Sequence, residues 1–314
     1  MLRELPDPEP PPLHVRIAIE ACAVCRTDLH VVDAELPPLL SAVTPGHEII
    51  GFVDRLGEGV SELTLGQRVG VGWLGSACQA CHYCRAGREN LCDSPVFTGY
   101  SRDGGFATHV IADARYTYHV PSHANASELA PLMCAGLIGW RSLMSAGQAE
   151  TLGLYGFGAA AHIILQVAKW QQRRVFVFTR EGDAAAQKLA RDLGADWAGA
   201  SGEAPPAPLD AAIIYAPAGE LVPEALKRVR KGGRVVCAGI HMSDIPSFPY
   251  RDLWGEREIV SVANLTRQDA HDFLGLAPMI GLRVHTSAYP LADANRALDD
   301  LRAGRVQGAA VLVP

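Results

Sequence analysis

The sequence predicts an α/β fold in two parts: an irregular β-rich domain and a doubly wound parallel sheet. Three observations carry this reading. Cys78, Cys81, Cys84 and Cys92 fall within one short stretch, spaced C-x2-C-x2-C-x7-C. Near residue 150 the texture changes from short apolar runs broken by Gly, Pro, Asp and Ser to strands alternating with helices. At that change stands Gly156-x-Gly158-x-x-Ala161, preceded by an apolar strand and followed by a helical stretch.

Taken in order, residues 6–13 are a proline-rich opening with little helix or strand potential. His14 to Ala21 alternates apolar and polar residues, as a half-buried strand does. Short β elements are expected from there to about residue 135. Thr151–Tyr155 is the next strand, followed by a helix through Trp170 with Ile164, Val167 and Ala168 at helical spacing. Arg174–Phe178 reads as a strand and Ala184–Leu193 as a helix. Asp210–Tyr215 and Arg234–Ala238 read as strands around a helix at Pro223–Arg230, with one more strand at Glu258–Ala263. That alternation means parallel βαβ units. After about residue 265 the pattern is mixed again.

Composition bounds the function. The 314 residues suffice for two domains, and 48% hydrophobic with 20% charged residues suits a soluble globular protein. A net charge of −6 argues against nucleic acid or an anionic membrane as partner. No apolar run reaches the length of a membrane span, and the segment from Met1 to Pro8 lacks a signal-peptide core. Eight cysteines are too sparse for a disulfide scaffold, so a reducing cytoplasm is expected.

Thiolates as dense as those of Cys78, Cys81, Cys84 and Cys92 either bind metal or form disulfides, and four soft donors on one loop suit tetrahedral zinc. A closed set of four sulfurs is a structural site, so the chemistry must lie elsewhere. In the glycine motif, Gly156 permits a tight turn, Gly158 lets the backbone approach a pyrophosphate, and Ala161 keeps the helix close to the sheet. The helix N-terminus supplies free N–H groups and a positive dipole end. After the second strand come Thr179 and Arg180, a hydroxyl and a guanidinium that suit the 2′-phosphate of NADP, while Glu181 could reach the ribose of NAD. Upstream, Cys25, His47 and Cys134 would make a Cys2His set that leaves zinc an open position, although the three come from distant segments.

Cys25-Arg26-Thr27-Asp28-x-His30, Gly46-His47-Glu48, the four-cysteine lobe, Cys134-Ala135-Gly136 and Gly156-Phe157-Gly158 occur in this order over essentially the whole chain. This joint pattern resembles the zinc-dependent alcohol dehydrogenases of the medium-chain dehydrogenase/reductase superfamily. Trp73-Leu74-Gly75-Ser76 resembles the bacterial, propanol-preferring type. The resemblance implies a GroES-like catalytic domain over residues 1–135, with a zinc lobe at 76–93, completed by 265–314. A Rossmann domain at 136–264 would lie between, and the protein would form a homo-dimer or homo-tetramer. By motif match Cys25, His47 and Cys134 would hold catalytic zinc, so that each chain carries two zinc ions. Thr27 would bond the substrate hydroxyl, His30 would pass its proton to solvent, Asp28 would orient His47, and Glu48 would be a transient ligand.

The implied reaction is reversible hydride transfer between a small primary alcohol or aldehyde and NADP or NAD. An alcohol must lose its proton before its carbon gives up hydride, and a Lewis-acidic zinc eases that loss. Trp73 would line the substrate pocket and Arg26 would contact the pyrophosphate, while Cys22 and Cys237 read as core and His162 as facing solvent or phosphate. Two features depart from the family. A first strand expected before Leu2–Pro6 is missing, and Gly308-Ala309 stands where relatives carry Gly-Arg for the pyrophosphate, leaving Arg267 as a substitute. The alternatives are a polyol or aromatic-alcohol dehydrogenase with the same machinery, or a catalytically impaired NAD(P)- and zinc-binding relative.

Overall fold

The structure is a computed structural model that describes residues 3–314. It divides into two compact units. The first takes the chain through Leu137 together with Asn264–Gly275 and Arg283–Pro314; the second takes Ile138–Ala263 and Leu276–Leu282. The seven residues 276–282 therefore pack with the second unit, not with the C-terminal segment expected to complete the first.

The first unit is built on strands β1 (His14–Val24), β2 (Glu48–Leu56), β3 (Arg68–Val71), β4 (Leu74–Ser76), β5 (Val96–Phe97), β6 (His109–Asp113) and β7 (Thr117–His119). In β1 every second side chain from Val15 to Ala21 is buried, as the sequence alternation requires. Val15, Ile17 and Ile19 pack on Ile49, Val53 and Val69 to form the core of this sheet. Strand β1 runs three residues past the predicted end, to Val24. The proline-rich opening is not part of any sheet. Residues 3–6 form no strand and are exposed, and Met1 and Leu2 lie outside the described residues.

The second unit holds β8 (Thr151–Tyr155), β9 (Arg174–Thr179), β10 (Trp197–Ala200), β11 (Leu209–Ile214), β12 (Val229–Cys237) and β13 (Glu258–Ser261). All neighbours in this sheet are parallel, in the order β10-β9-β8-β11-β12-β13. Counted from β8, that is the 3-2-1-4-5-6 order of a doubly wound dinucleotide-binding sheet. Strands β8, β9 and β11 are buried almost throughout, because helices cover both faces of such a sheet. The predicted helix at Pro223–Arg230 ends at Arg228, and Val229 already pairs with Leu209 as the first residue of β12. Strand β10 has no counterpart among the predicted elements.

The chain returns to the first sheet with β14 (Thr286–Pro290) and β15 (Ala309–Val313), giving the order β14-β15-β1-β2-β3-β7 with β6 also paired to β1. No helix among the described residues is long and apolar enough to cross a membrane.

Candidate active site

The helix Arg26–Val32 follows β1 directly and sets the geometry of the site. Asp28, fully buried, accepts from the Cys25 N–H at 2.8 Å with one carboxylate oxygen. Its other oxygen accepts from the Gly46 N–H at 3.0 Å and from His47 Nδ1 at 3.1 Å. One carboxylate thus caps the helix and ties two distant ligand segments together. Gly46 has φ +98°, and a Cβ there would lie 2.4 Å from the Phe106 ring and 2.9 Å from Cys22 Sγ. Only glycine fits that approach.

Cys25, His47, Glu48 and Cys134 bring their ligand atoms within 4.8 Å of one another. His47 Nε2 is completely buried and has no hydrogen-bond partner, although its ring is held from the other side by Asp28. An orphaned imidazole nitrogen beside two sulfurs suits a metal ion, since burying it unpaired would be costly. The Cys25 and Cys134 sulfurs are 4.0 Å apart, near the ~3.8 Å edge of a tetrahedron with metal–sulfur bonds of about 2.3 Å. The donor set therefore fits a tetrahedral zinc with room for one further ligand.

The electrostatics agree. The Cys25 thiol is pushed well down by its contact with Cys134 and by His47, while Cys134 is pushed well up by the same contact and by burial. Burial opposes charge on His47, but Asp28 and the Cys25 sulfur outweigh it and raise its pKa. Burial, with the Cys25 charge, raises Glu48. The Thr27 hydroxyl lies 3.7 Å from Cys25 Sγ, and His30, three residues on, shares its side of the helix.

Sequence reasoning missed two partners. The His30 carbonyl accepts from the Glu35 and Leu36 N–H groups at 2.9 and 3.1 Å, so the chain folds back after the helix. That turn brings the Glu35 carboxylate onto His30 Nδ1. A carboxylate in the turn right after a histidine-bearing helix was the available signal. The second omission concerns Trp73, which is 7% exposed and stands edge-on to His47 at a 4.9 Å centroid distance. Phe97 and Tyr100 stack against its indole at 5.0 and 5.8 Å.

The four lobe sulfurs also lie within 4.8 Å, with Cys78 and Cys84 3.9 Å apart. All eight cysteines are unbonded, so the disulfide alternative is not realised. Backbone N–H groups of Cys81, Cys84 and Cys78 point at the sulfurs of Cys78, Cys81 and Cys92. The Ala80 N–H and then the Cys81 N–H lower Cys78 to about 6, while burial lifts Cys84 to about 12. The set fits a closed zinc site. Arg267 is not available for a pyrophosphate: its N–H and Nε donate to Glu89 at 2.9 and 3.2 Å, and its guanidinium lies over Tyr116.

In the second unit, the glycine turn follows β8 where the strand order reverses. Gly156 has φ +85°, and space within 4 Å of a Cβ at Gly158 is empty, leaving its backbone open to a phosphate group. Ala161 is fully buried, on the helix Ala159–Trp170. Thr179 departs from expectation. It is 2% exposed, its hydroxyl donates to the Arg180 carbonyl at 3.0 Å, and it accepts from Gln187 at 3.1 Å. The pairing uses up that hydroxyl inside the sheet, whereas Arg180 is exposed with a free guanidinium. Arg26 is likewise exposed and free of ion pairs. His162 is 2% exposed and does not face solvent.

The family description "Alcohol dehydrogenase GroES-like domain" matches residues 11–122. A probable alcohol dehydrogenase of Mycobacterium tuberculosis is 47% identical over 98% of this chain and 90% of its own length. Among solved structures, a cobalt- and zinc-bound thermostable alcohol dehydrogenase from Pyrobaculum aerophilum superposes with TM-score 0.88 at 25% identity, over 100% of this chain and 95% of that one. An acetophenone reductase from Geotrichum candidum in complex with NAD gives 0.89 at 25% identity, over 100% and 93%. With an orphaned His47 between two sulfurs, a closed four-sulfur lobe and a dinucleotide sheet on one chain, this protein belongs to the zinc-type alcohol dehydrogenases of the medium-chain dehydrogenase/reductase superfamily.

Proposed function

We propose that the protein oxidises primary alcohols to aldehydes, reversibly, with zinc held by Cys25, His47 and Cys134 and with NADP as the preferred acceptor. The observation that carries this is the buried, partnerless His47 Nε2 among the Cys25, Cys134 and Glu48 donor atoms. Zinc held there would supply the Lewis acidity that eases loss of the alcohol proton, and a bound nicotinamide would supply the hydride acceptor. The chain's own residues do the rest. Asp28 fixes the His47 tautomer, Thr27 receives the substrate hydroxyl at its Oγ1, and His30 takes the proton onward with Glu35 behind it. Glu48, whose pKa burial raises, is a reserve donor beside the metal ligands. Cys78, Cys81, Cys84 and Cys92 hold the second zinc and only shape the lobe.

Arg180 supports NADP alone, because Thr179 is turned inward. Gly156, Gly158 and Ala161 would receive the pyrophosphate. Unbonded cysteines support a cytoplasmic setting, and the family resemblance supports a homo-dimer or homo-tetramer. The test is steady-state oxidation of a short alcohol series with each nucleotide. NADP should give the higher kcat/KM, and Arg180→Ser should cost NADP about ten-fold or more while sparing NAD. Equal loss with both nucleotides would refute the assignment of Arg180.

A further inference from the structure

The end of the helix Arg26–Val32 says more about how His30 is held. The chain leaves the helix through a left-handed residue, Ala34, with φ +56°. The Ala34 N–H donates to the Val31 carbonyl at 3.2 Å, and the Glu35 N–H donates to the His30 carbonyl at 2.9 Å. This pair of bonds is a Schellman closure, which sets Glu35 beside His30. Two apolar side chains commonly meet at such an end. Here a carboxylate meets an imidazole, Glu35 on His30 Nδ1. Glycine takes the left-handed position without strain, whereas Ala34 holds this turn against strain.

The two side chains differ in exposure. That of His30 is 9% exposed and that of Glu35 51%, so the ring is nearly sealed while the carboxylate reaches water. The neighbouring charges are engaged elsewhere. Asp33 accepts from Arg302 at 2.7 Å, and that guanidinium also donates to Asp299 at 2.6 Å, both from the helix Ala294–Arg302 packed alongside. Asp28 is committed to Cys25, Gly46 and His47. The Glu35 carboxylate is left to His30.

We propose that Glu35 is a positioning residue of the proton relay, acting on the substrate through His30. An ionised carboxylate on Nδ1 places the proton of neutral His30 on that nitrogen and leaves Nε2 as the accepting one. The proton arriving from the alcohol by way of Thr27 then adds to Nε2, and the carboxylate holds the resulting imidazolium without taking its proton. Release of one proton from the imidazolium to water resets the relay. The assignment rests on the dehydrogenase reading of the same site.

The experiment pairs kcat/KM for ethanol oxidation with nitrogen NMR of the His30 ring, on the zinc-loaded wild type and its variants. Glu35→Ala should lower kcat/KM about ten-fold or more with bound zinc unchanged. Formate, entering the space vacated by the half-exposed side chain, should restore most of that loss. Glu35→Asp, which keeps the charge, should retain more activity than Glu35→Ala. Asp33→Asn removes the other carboxylate of the turn and should leave the rate unchanged. The NMR spectra should show neutral His30 protonated on Nδ1 in the wild type and shifted toward the Nε2–H form in Glu35→Ala. A Glu35→Ala protein at the wild-type rate, a loss that formate leaves in place, or wild-type His30 protonated on Nε2 would overturn the proposal. Ethanol turnover that is indifferent to Glu35→Ala would leave the dehydrogenase reading standing, whereas no turnover with any alcohol would remove both.

Discussion

Asp28 is the residue on which the site's geometry turns. Its two oxygens accept from the Cys25 N–H, the Gly46 N–H and His47 Nδ1, so one side chain positions a helix start, a tight turn and a ligand. Asp28→Asn keeps the shape but cannot accept at every one of these positions. It should weaken zinc affinity by roughly 10–100-fold and lower stability by about 1 kcal/mol. Chelator competition and thermal melting would measure the two effects; unchanged zinc affinity would contradict this role. Most of this site was legible as residues. Cys25, His47, Cys134 and Asp28 each sit in short motifs, and the family resemblance those motifs carry, not their spacing, implied their roles. Glu35 and Tyr100 were not legible, because each acts through a chain reversal or a ring stack that brings together segments with no shared pattern. Thr179 shows the opposite failure: its type suited a phosphate, but the side chain of a strand's last residue points to one face only, here inward.

At the scale of elements, the cysteine lobe is held by Glu89 as well as by its sulfurs. Glu89 is 4% exposed and accepts from both the backbone and the guanidinium of Arg267, the first residue of the helix Arg267–Ile280. Burial works against the Glu89 charge, but the Arg267 N–H and side chain outweigh it and hold its pKa below the ordinary value. A depressed carboxylate contributes stability that is full above its unfolded-state pKa and is lost as pH falls through the folded one. Stability should therefore be level near neutrality and decline below about pH 4.3. Glu89→Gln should be less stable at pH 7 by about 1–3 kcal/mol, with a flatter acid limb in urea titrations at several pH values. Equal acid limbs would contradict the assignment. Long, regular elements were legible here: β8 ends where its apolar run ends, and the helix after it stops at Trp170 as expected. Strand β10 was not. It is four residues, includes two alanines and a glycine, and pairs on one side only, so the sheet rather than propensity makes it a strand. Val229 was misread for the same reason, its pairing with Leu209 of β11 overriding a helical pattern that had run on to Arg230.

For the whole molecule, the division of labour follows the two units. Every candidate metal ligand lies in the first, and the glycine turn with Arg180 lies in the second. The strand order of the second sheet could be anticipated because parallel βαβ units allow few alternatives. The return of β15 to β1, with β14 beside β15, was implied only by the family resemblance, since segments far apart in sequence leave no periodic trace of meeting. The central claim is that one chain carries a closed zinc site and an open one, and that only the open one turns over substrate. Zinc content and alcohol oxidation measured together on the wild type and on Cys134→Ser test it most directly. The wild type should hold two zinc ions per chain, one for each donor group, and the variant about one, with oxidation reduced by at least about 10³-fold. A wild type holding less than about one zinc, or a Cys134→Ser protein that still oxidises alcohols at the wild-type rate, would contradict the account.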